Sequence, residues 1–294
     1  MSSRAGNIAV VVAVLALVGC GSMSGGDVGP DAGDDAVDAS VAPTVDAGPE
    51  PDFATLPWDV IGTGVNFKDS QNPRGDEVFI GYAGYGVSDE QAKAWMTALY
   101  DAKLRDRGVR YVYAVRGPDD VQYAHGEIQN THLIAHLLPE LSTSTHFIAV
   151  AGHSSGGWVA CELLHQLYEG GLDPNGATSG RTIYYDLDGV ESCVDSTIVQ
   201  HLRNVYFVSA HTSVGGGGYA LNAVGMMMGG MVYGAAHFKL YDASASGCVP
   251  SAELCLHVSL IVTKPHDPSN GTPADYADFT GRPVNHWYLD ATGL

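Results

Sequence analysis

Residues 147 to 164 read FIAVAGHSSGGWVACELL. The first half is a short apolar run suited to a buried strand. The second half repeats its apolar residues at helical spacing. Only Gly152-His153-Ser154-Ser155-Gly156 separates them. A buried strand that turns into a helix within five residues belongs to a sheet whose strands are joined by helical crossovers.

The rest of the chain repeats this alternation from residue 77 onward. EVFIGYAGYG is an apolar run ending in glycines, and SDEQAKAWMTALYDAKLRDRG follows, with Ser88 as its cap and Gly108 as its stop. VRYVYAV (109–115) predicts a strand, and GEIQNTHLIAHLLPEL predicts a helix. After the 147–164 unit, TIYYDL (182–187) and NVYFVSA (204–210) predict two more buried strands, with a helix from Ser192 to Arg203 between them. YALNAVGMMMGGMVYGAA is long enough for a helix, and HFKLYDA predicts a further strand. The expected fold is α/β, a mostly parallel sheet with helices on both faces. Active groups in such sheets collect in the loops at the carboxyl ends of the strands, which is where Ser154 lies.

The N-terminus has a different character. Arg4, the apolar run IAVVVAVLALVG and then Cys20 form a short secretory signal over residues 1–20. The run is too short to span a bilayer. LVGC resembles the lipobox of bacterial lipoproteins, and that resemblance implies lipidation at Cys20 and a lipid-anchored place in the cell envelope. Residues 21–56 are mostly Gly, Ala, Pro, Ser, Val and acids, with no Lys or Arg. They cannot bury enough apolar surface to offset the entropy of ordering, so a disordered acidic tether is expected. The remaining domain, 57–294, carries 25 acids against 13 Lys and Arg. That balance argues against a nucleic-acid partner, which needs a basic face. Apart from Cys20, four cysteines remain, and their even number in an exported chain suggests two disulfides, Cys248 with Cys255 and Cys161 with Cys193.

Gly152 to Gly156 fits G-x-S-x-G between a strand and a helix, the setting that projects a serine hydroxyl from a sharp bend. On these residues the chain resembles the α/β-hydrolase superfamily over roughly residues 58–290. The resemblance implies a Ser–acid–His triad with Ser154 as nucleophile, and an oxyanion hole. Its amides would come from Ser155 and from Ala83 or Gly84 in GYAGYG. SAHTS, after the strand at 204–210, offers no carboxylate, so the acid is sought one strand earlier, in YYDLDG. There Asp188 is preferred to Asp186, with Asp242 in reserve. The base is His257. His266 replaces it if VSLIVT is itself a parallel strand, and His286 near the terminus is a third candidate.

His132 and His136 are four apart on a helix but lack the intervening Glu of a zincin, so no metal is expected. GMMMGGMVYG is a candidate lining for an acyl pocket, although a buried helix accounts for it equally. The expected activity is hydrolysis of a small-molecule, lipid or polymer ester, without a cofactor. The alternative is a cell-surface binding module that has kept the fold without the chemistry.

Overall fold

The computed structural model describes residues 52–119, 126–141, 147–173, 176–189, 195–224, 226–227, 236–270 and 283–292. The signal, Cys20, most of the tether, Cys193 and much of the methionine-rich stretch lie outside them. None of the described helices is long and apolar enough to cross a membrane.

The alternating patterns form one sheet of nine strands among the described residues. β1 (Asp59–Gly62) and β2 (Val65–Asp69) make an antiparallel hairpin at one edge. β2 runs antiparallel to β4 (Val109–Val115). From β4 inward the sheet is parallel: β3 (Glu77–Tyr82), β5 (Ile148–His153), β6 (Thr182–Leu187), β7 (Leu202–Thr212) and β9 (Ala236–Asp242). The two-residue β8 (Gly218–Tyr219) folds back antiparallel on the end of β7. This is an α/β-hydrolase fold.

Side chains alternate along the central strands and feed two separate cores. Ala149, Ala151, Ile183, Tyr185 and Leu187 face one side, where α1 (Asp89–Leu99) packs Trp95, Met96 and Leu99 against them. Ile148, Val150 and Tyr184 face the other. There α2 (Gly126–Glu140) contributes Leu133 and Leu137, and α3 (Gly156–Tyr168) contributes Val159, Leu163 and Leu164. Each such fully buried side chain contributes roughly 1.5–3 kcal/mol, which fixes the register of every strand between the two layers.

Ser88 caps α1 reciprocally: its hydroxyl accepts the Gln91 N–H at 3.3 Å, and the Gln91 side chain accepts the Ser88 N–H at 2.9 Å. The expected helix over 192–203 ends earlier than predicted. Among the described residues of that stretch only α4 (Ser196–Val199) is helical, and β7 begins at Leu202, two residues before its predicted start. The β1–β2 hairpin was not anticipated from the sequence. Its first strand is half-exposed and lacks a strict two-residue repeat. The start of the domain is tied down by Lys68, whose buried Nζ donates to the Phe53 carbonyl at 2.7 Å and faces the Phe53 and Trp58 rings.

Candidate active site

β5 ends at His153, α3 begins at Gly156, and the backbone must reverse between them. Ser154 makes that reversal at φ 56°, a left-handed conformation that costs a residue with a Cβ about 1–3 kcal/mol. Two hydrogen bonds hold it there. The Ser154 N–H donates to the Leu187 carbonyl on β6 at 3.1 Å, and the Ser154 carbonyl accepts from the Gly157 N–H at 3.0 Å. The flanking glycines are required by close approach. A Cβ on Gly152 would lie 2.5 Å from the Gly157 Cα, and one on Gly156 would lie 2.4 Å from the Tyr82 carbonyl. Ser154 remains partly exposed, whereas its neighbours His153 and Ser155 are buried.

The neighbouring strand supplies a carboxylate. Asp188 follows β6 and also has a positive φ, 48°. Its N–H donates to the Val208 carbonyl at 2.7 Å, and its side chain is wholly buried. A buried carboxylate is tolerated only when its lone pairs are satisfied, and Asp188 is heavily supplied. Oδ2 accepts from His257 Nδ1 at 2.6 Å and from the Asn222 N–H at 3.0 Å. Oδ1 accepts from the Ser209 hydroxyl. The Asn222 amide group also donates to the Asp188 carbonyl at 2.8 Å.

His257 lies in α5 (Glu253–Val258) and is 3 % exposed. Because its Nδ1 faces a carboxylate, that nitrogen carries the proton, and Nε2 is left as the basic nitrogen. His153 packs on it from β5, with ring centroids 4.3 Å apart, and its Nε2–H donates to the His257 carbonyl at 3.0 Å. Burial first, then the nearby His257, pushes the His153 imidazole well below the usual histidine range. A neutral ring therefore backs the Asp188–His257 pair.

The disulfide between Cys248 and Cys255 closes a seven-residue separation and ends two residues before His257. Cys161 is also disulfide-bonded; its expected partner Cys193 lies outside the described residues.

The other sequence candidates fall elsewhere. VSLIVT is not a strand. Its Val258 ends α5, and Val262 makes only an isolated antiparallel bridge to Val284, so the geometry that would have favoured His266 is absent. His266 sits on an exposed turn. His286 pairs with Asp290 at 3.1 Å. The Asp242 carboxylate is exposed and accepts the Ser244 N–H at 3.0 Å, bonds from Ser244 that hold it below the usual carboxylate range. Asp186 accepts the Gly189 N–H at 2.8 Å. On α2, His136 meets the Tyr113 hydroxyl at 3.0 Å, and His132 covers Gly62.

One oxyanion-hole candidate needs correcting. The Ala83 N–H donates to the Val115 carbonyl at 3.0 Å, continuing the β3–β4 ladder, so it is not available to a ligand. Gly84 carries the next amide. The Ser155 amide stands at the N-terminus of α3, where no side chain caps the helix.

Three participants escaped the sequence reading: Ser209, Asn222 and His153. Ser209 lies within the predicted strand 204–210, and nothing in that strand's pattern marks one serine as a partner for a carboxylate 21 residues away. Asn222 reaches back 34 residues. His153 was visible only as the variable position of the serine motif.

No family model matches the chain, and no curated protein sequence matches it. Solved structures that it resembles include DphMB1, at 16 % identity and TM-score 0.38, with 70 % of this chain and 88 % of that one covered. An alpha-beta hydrolase from Vibrio vulnificus aligns at 10 % identity and TM-score 0.35, covering 60 % and 69 %. An esterase from Pyrococcus furiosus aligns at 12 % identity and TM-score 0.35, covering 64 % and 82 %.

Proposed function

We propose that the chain is a serine hydrolase acting on a carboxylic ester or a related acyl bond, exported and anchored through lipid on Cys20. The observation that carries the reading is the conjunction of a strained Ser154 at the β5–α3 bend with a buried, hydrogen-bonded Asp188–His257 pair from the next parallel strand and α5.

In this reading Ser154 Oγ attacks the acyl carbon while His257 Nε2 takes its proton. Asp188 holds the imidazole in the tautomer that exposes Nε2 and stabilises the imidazolium formed on proton transfer. The Ser155 amide, with Gly84 as its partner, faces the negative charge developing on the carbonyl oxygen. The tetrahedral intermediate collapses, and His257 returns the proton to the departing alcohol. Water then attacks the acyl-enzyme by the same route in reverse, freeing the acid and restoring Ser154.

A fluorophosphonate probe tests the nucleophile directly. Stoichiometric labelling of the wild type and none of Ser154→Ala is the expected result. A folded wild type that stays unlabelled and leaves p-nitrophenyl esters of every chain length intact would instead identify a binding module on a hydrolase fold. For an active wild type, Ser154→Ala is expected to lower kcat by about 10³-fold or more.

A further inference from the structure

Asp186 stands near the end of β6, two residues before Asp188, with its carboxyl against Gly157 at the start of α3. It is 1 % exposed. Its Oδ1 accepts the Gly189 N–H at 2.8 Å, and its Oδ2 is buried without a hydrogen-bond partner among the described residues. The chain makes room for this carboxyl with two glycines. A Cβ on Gly189 would lie 2.1 Å from Oδ1, and one on Gly157 would lie 3.1 Å from it. An apolar side chain would fill such a site at less cost than a carboxyl, so the carboxyl calls for an explanation beyond packing.

We infer that Asp186 is a positioning residue for the Asp188–His257 pair: a neutral carboxyl that clamps the Gly189 amide and so holds Asp188 in its left-handed conformation. The inference rests on the serine hydrolase reading and concerns that same site. Gly189 immediately follows Asp188, so fixing its amide fixes the direction in which the Asp188 side chain leaves the backbone.

The surroundings keep the carboxyl protonated. Burial, and then the negative charge of Asp188, raise its pKa to about 8 against the pull of the Gly189 N–H. No cation faces it. On its own strand the titratable neighbours are Tyr184, whose hydroxyl donates to the Gly157 carbonyl at 2.9 Å, and Asp188. From α3 it meets Gly157, and its register partners are Gly152 on β5 and Phe207 on β7. Tyr82, on β3, lies beyond Tyr184, and His153, one residue past Gly152, is turned toward His257. Ionisation above about pH 8 therefore places a second, uncompensated charge behind the acid. Relieving it requires the carboxyl to leave its site and release Gly189.

Two variants of the full chain test this, Asp186→Asn and Asp186→Leu, each assayed with a p-nitrophenyl ester from pH 6 to 10. Asn keeps an acceptor for Gly189 and cannot ionise; it is expected to hold kcat within about twofold at pH 7 and to lose an alkaline decline that the wild type shows near pH 8. Leu has no acceptor; it is expected to lower kcat by about tenfold or more with KM unchanged. The inference is overturned if Asn is as impaired as Leu at pH 7, if Leu matches the wild type, or if the alkaline decline persists in Asn. If Leu does not fold, the pH profile of Asn decides. A wild type with neither activity nor labelling overturns the hydrolase reading, and the positioning role with it. An active wild type with an unimpaired Leu variant overturns the positioning role alone.

Discussion

At the scale of single residues, Asp188 is a buried anion whose cost is met by several donors. His257, Ser209 and the Asn222 amide share its two oxygens, and the Asn222 side chain holds its backbone. Hydrogen bonds to a charged group contribute roughly 1.5–3 kcal/mol each. Ser209→Ala is therefore expected to destabilise the fold by about that amount and to reduce kcat/KM by about 10- to 100-fold. Urea titration and steady-state kinetics on the same preparation check both. Asp188→Asn is expected to be the more severe, by about 10⁴ in kcat, because it favours the wrong imidazole tautomer. These residues also mark how far the sequence could be read. Ser154 was legible because a bend between strand and helix has a local signature. Asp188 was legible because it ends a predicted strand next to a glycine. Ser209 and Asn222 were not, because their roles depend on which strands become neighbours. The missing carboxylate after the 204–210 strand looked like a departure from pattern, yet that strand contributes Ser209, a donor to the acid on the strand beside it.

At the scale of elements, α5 is the least self-sufficient part of the site. It has six residues, no side chain caps its start at Ala252, and an isolated helix of that length does not persist in water. Its position depends on the Cys248–Cys255 disulfide before His257, on the bond from His153 to the His257 carbonyl, and on the buried Leu256 and Val258. Closing so short a loop is worth about 2–3 kcal/mol in the chain-entropy account. The double variant Cys248→Ser with Cys255→Ser is expected to lose about that much stability. It should also label with fluorophosphonate more slowly than the wild type, because the loosened segment carries His257, the proposed base, while the bend at Ser154 after β5 is untouched. An unchanged labelling rate with lowered stability would mean that packing alone positions His257. The sequence could suggest the cysteine pair from spacing, but the crossover after β9 could not be resolved locally, since VSLIVT has the composition of a buried strand. In the fold it follows α5 as a buried turn segment, which explains its apolar character without strand pairing.

At the scale of the whole molecule, the sheet brings the loops after β5 and β6 side by side, and the order of the parallel strands does this before any side chain is considered. The parallel, helix-covered sheet was legible as alternation, whereas the spatial order of its strands was not, and neither was the β1–β2 hairpin, because an edge strand needs only one buried face. Beyond the domain, the chain carries a net charge of −19, and eight of its acids lie between residues 21 and 52. Like charges along a chain repel, and in the proposed reading this acidic stretch is the spacer between a membrane surface and the proposed hydrolase. A single acyl chain gives only marginal membrane binding, so stable anchoring requires more than one. Expression of the full chain in a bacterial host, with fatty-acid metabolic labelling, tests the proposed anchor. The wild type is expected to incorporate label and sediment with membranes. Cys20→Ser is expected to lose both properties and yet retain the wild-type rate of fluorophosphonate labelling, because among the described residues the hydrogen-bond partners of Ser154, Asp188 and His257 lie between residues 153 and 260. If Cys20→Ser remained membrane-bound, lipid on Cys20 would have no part in the placement of the chain.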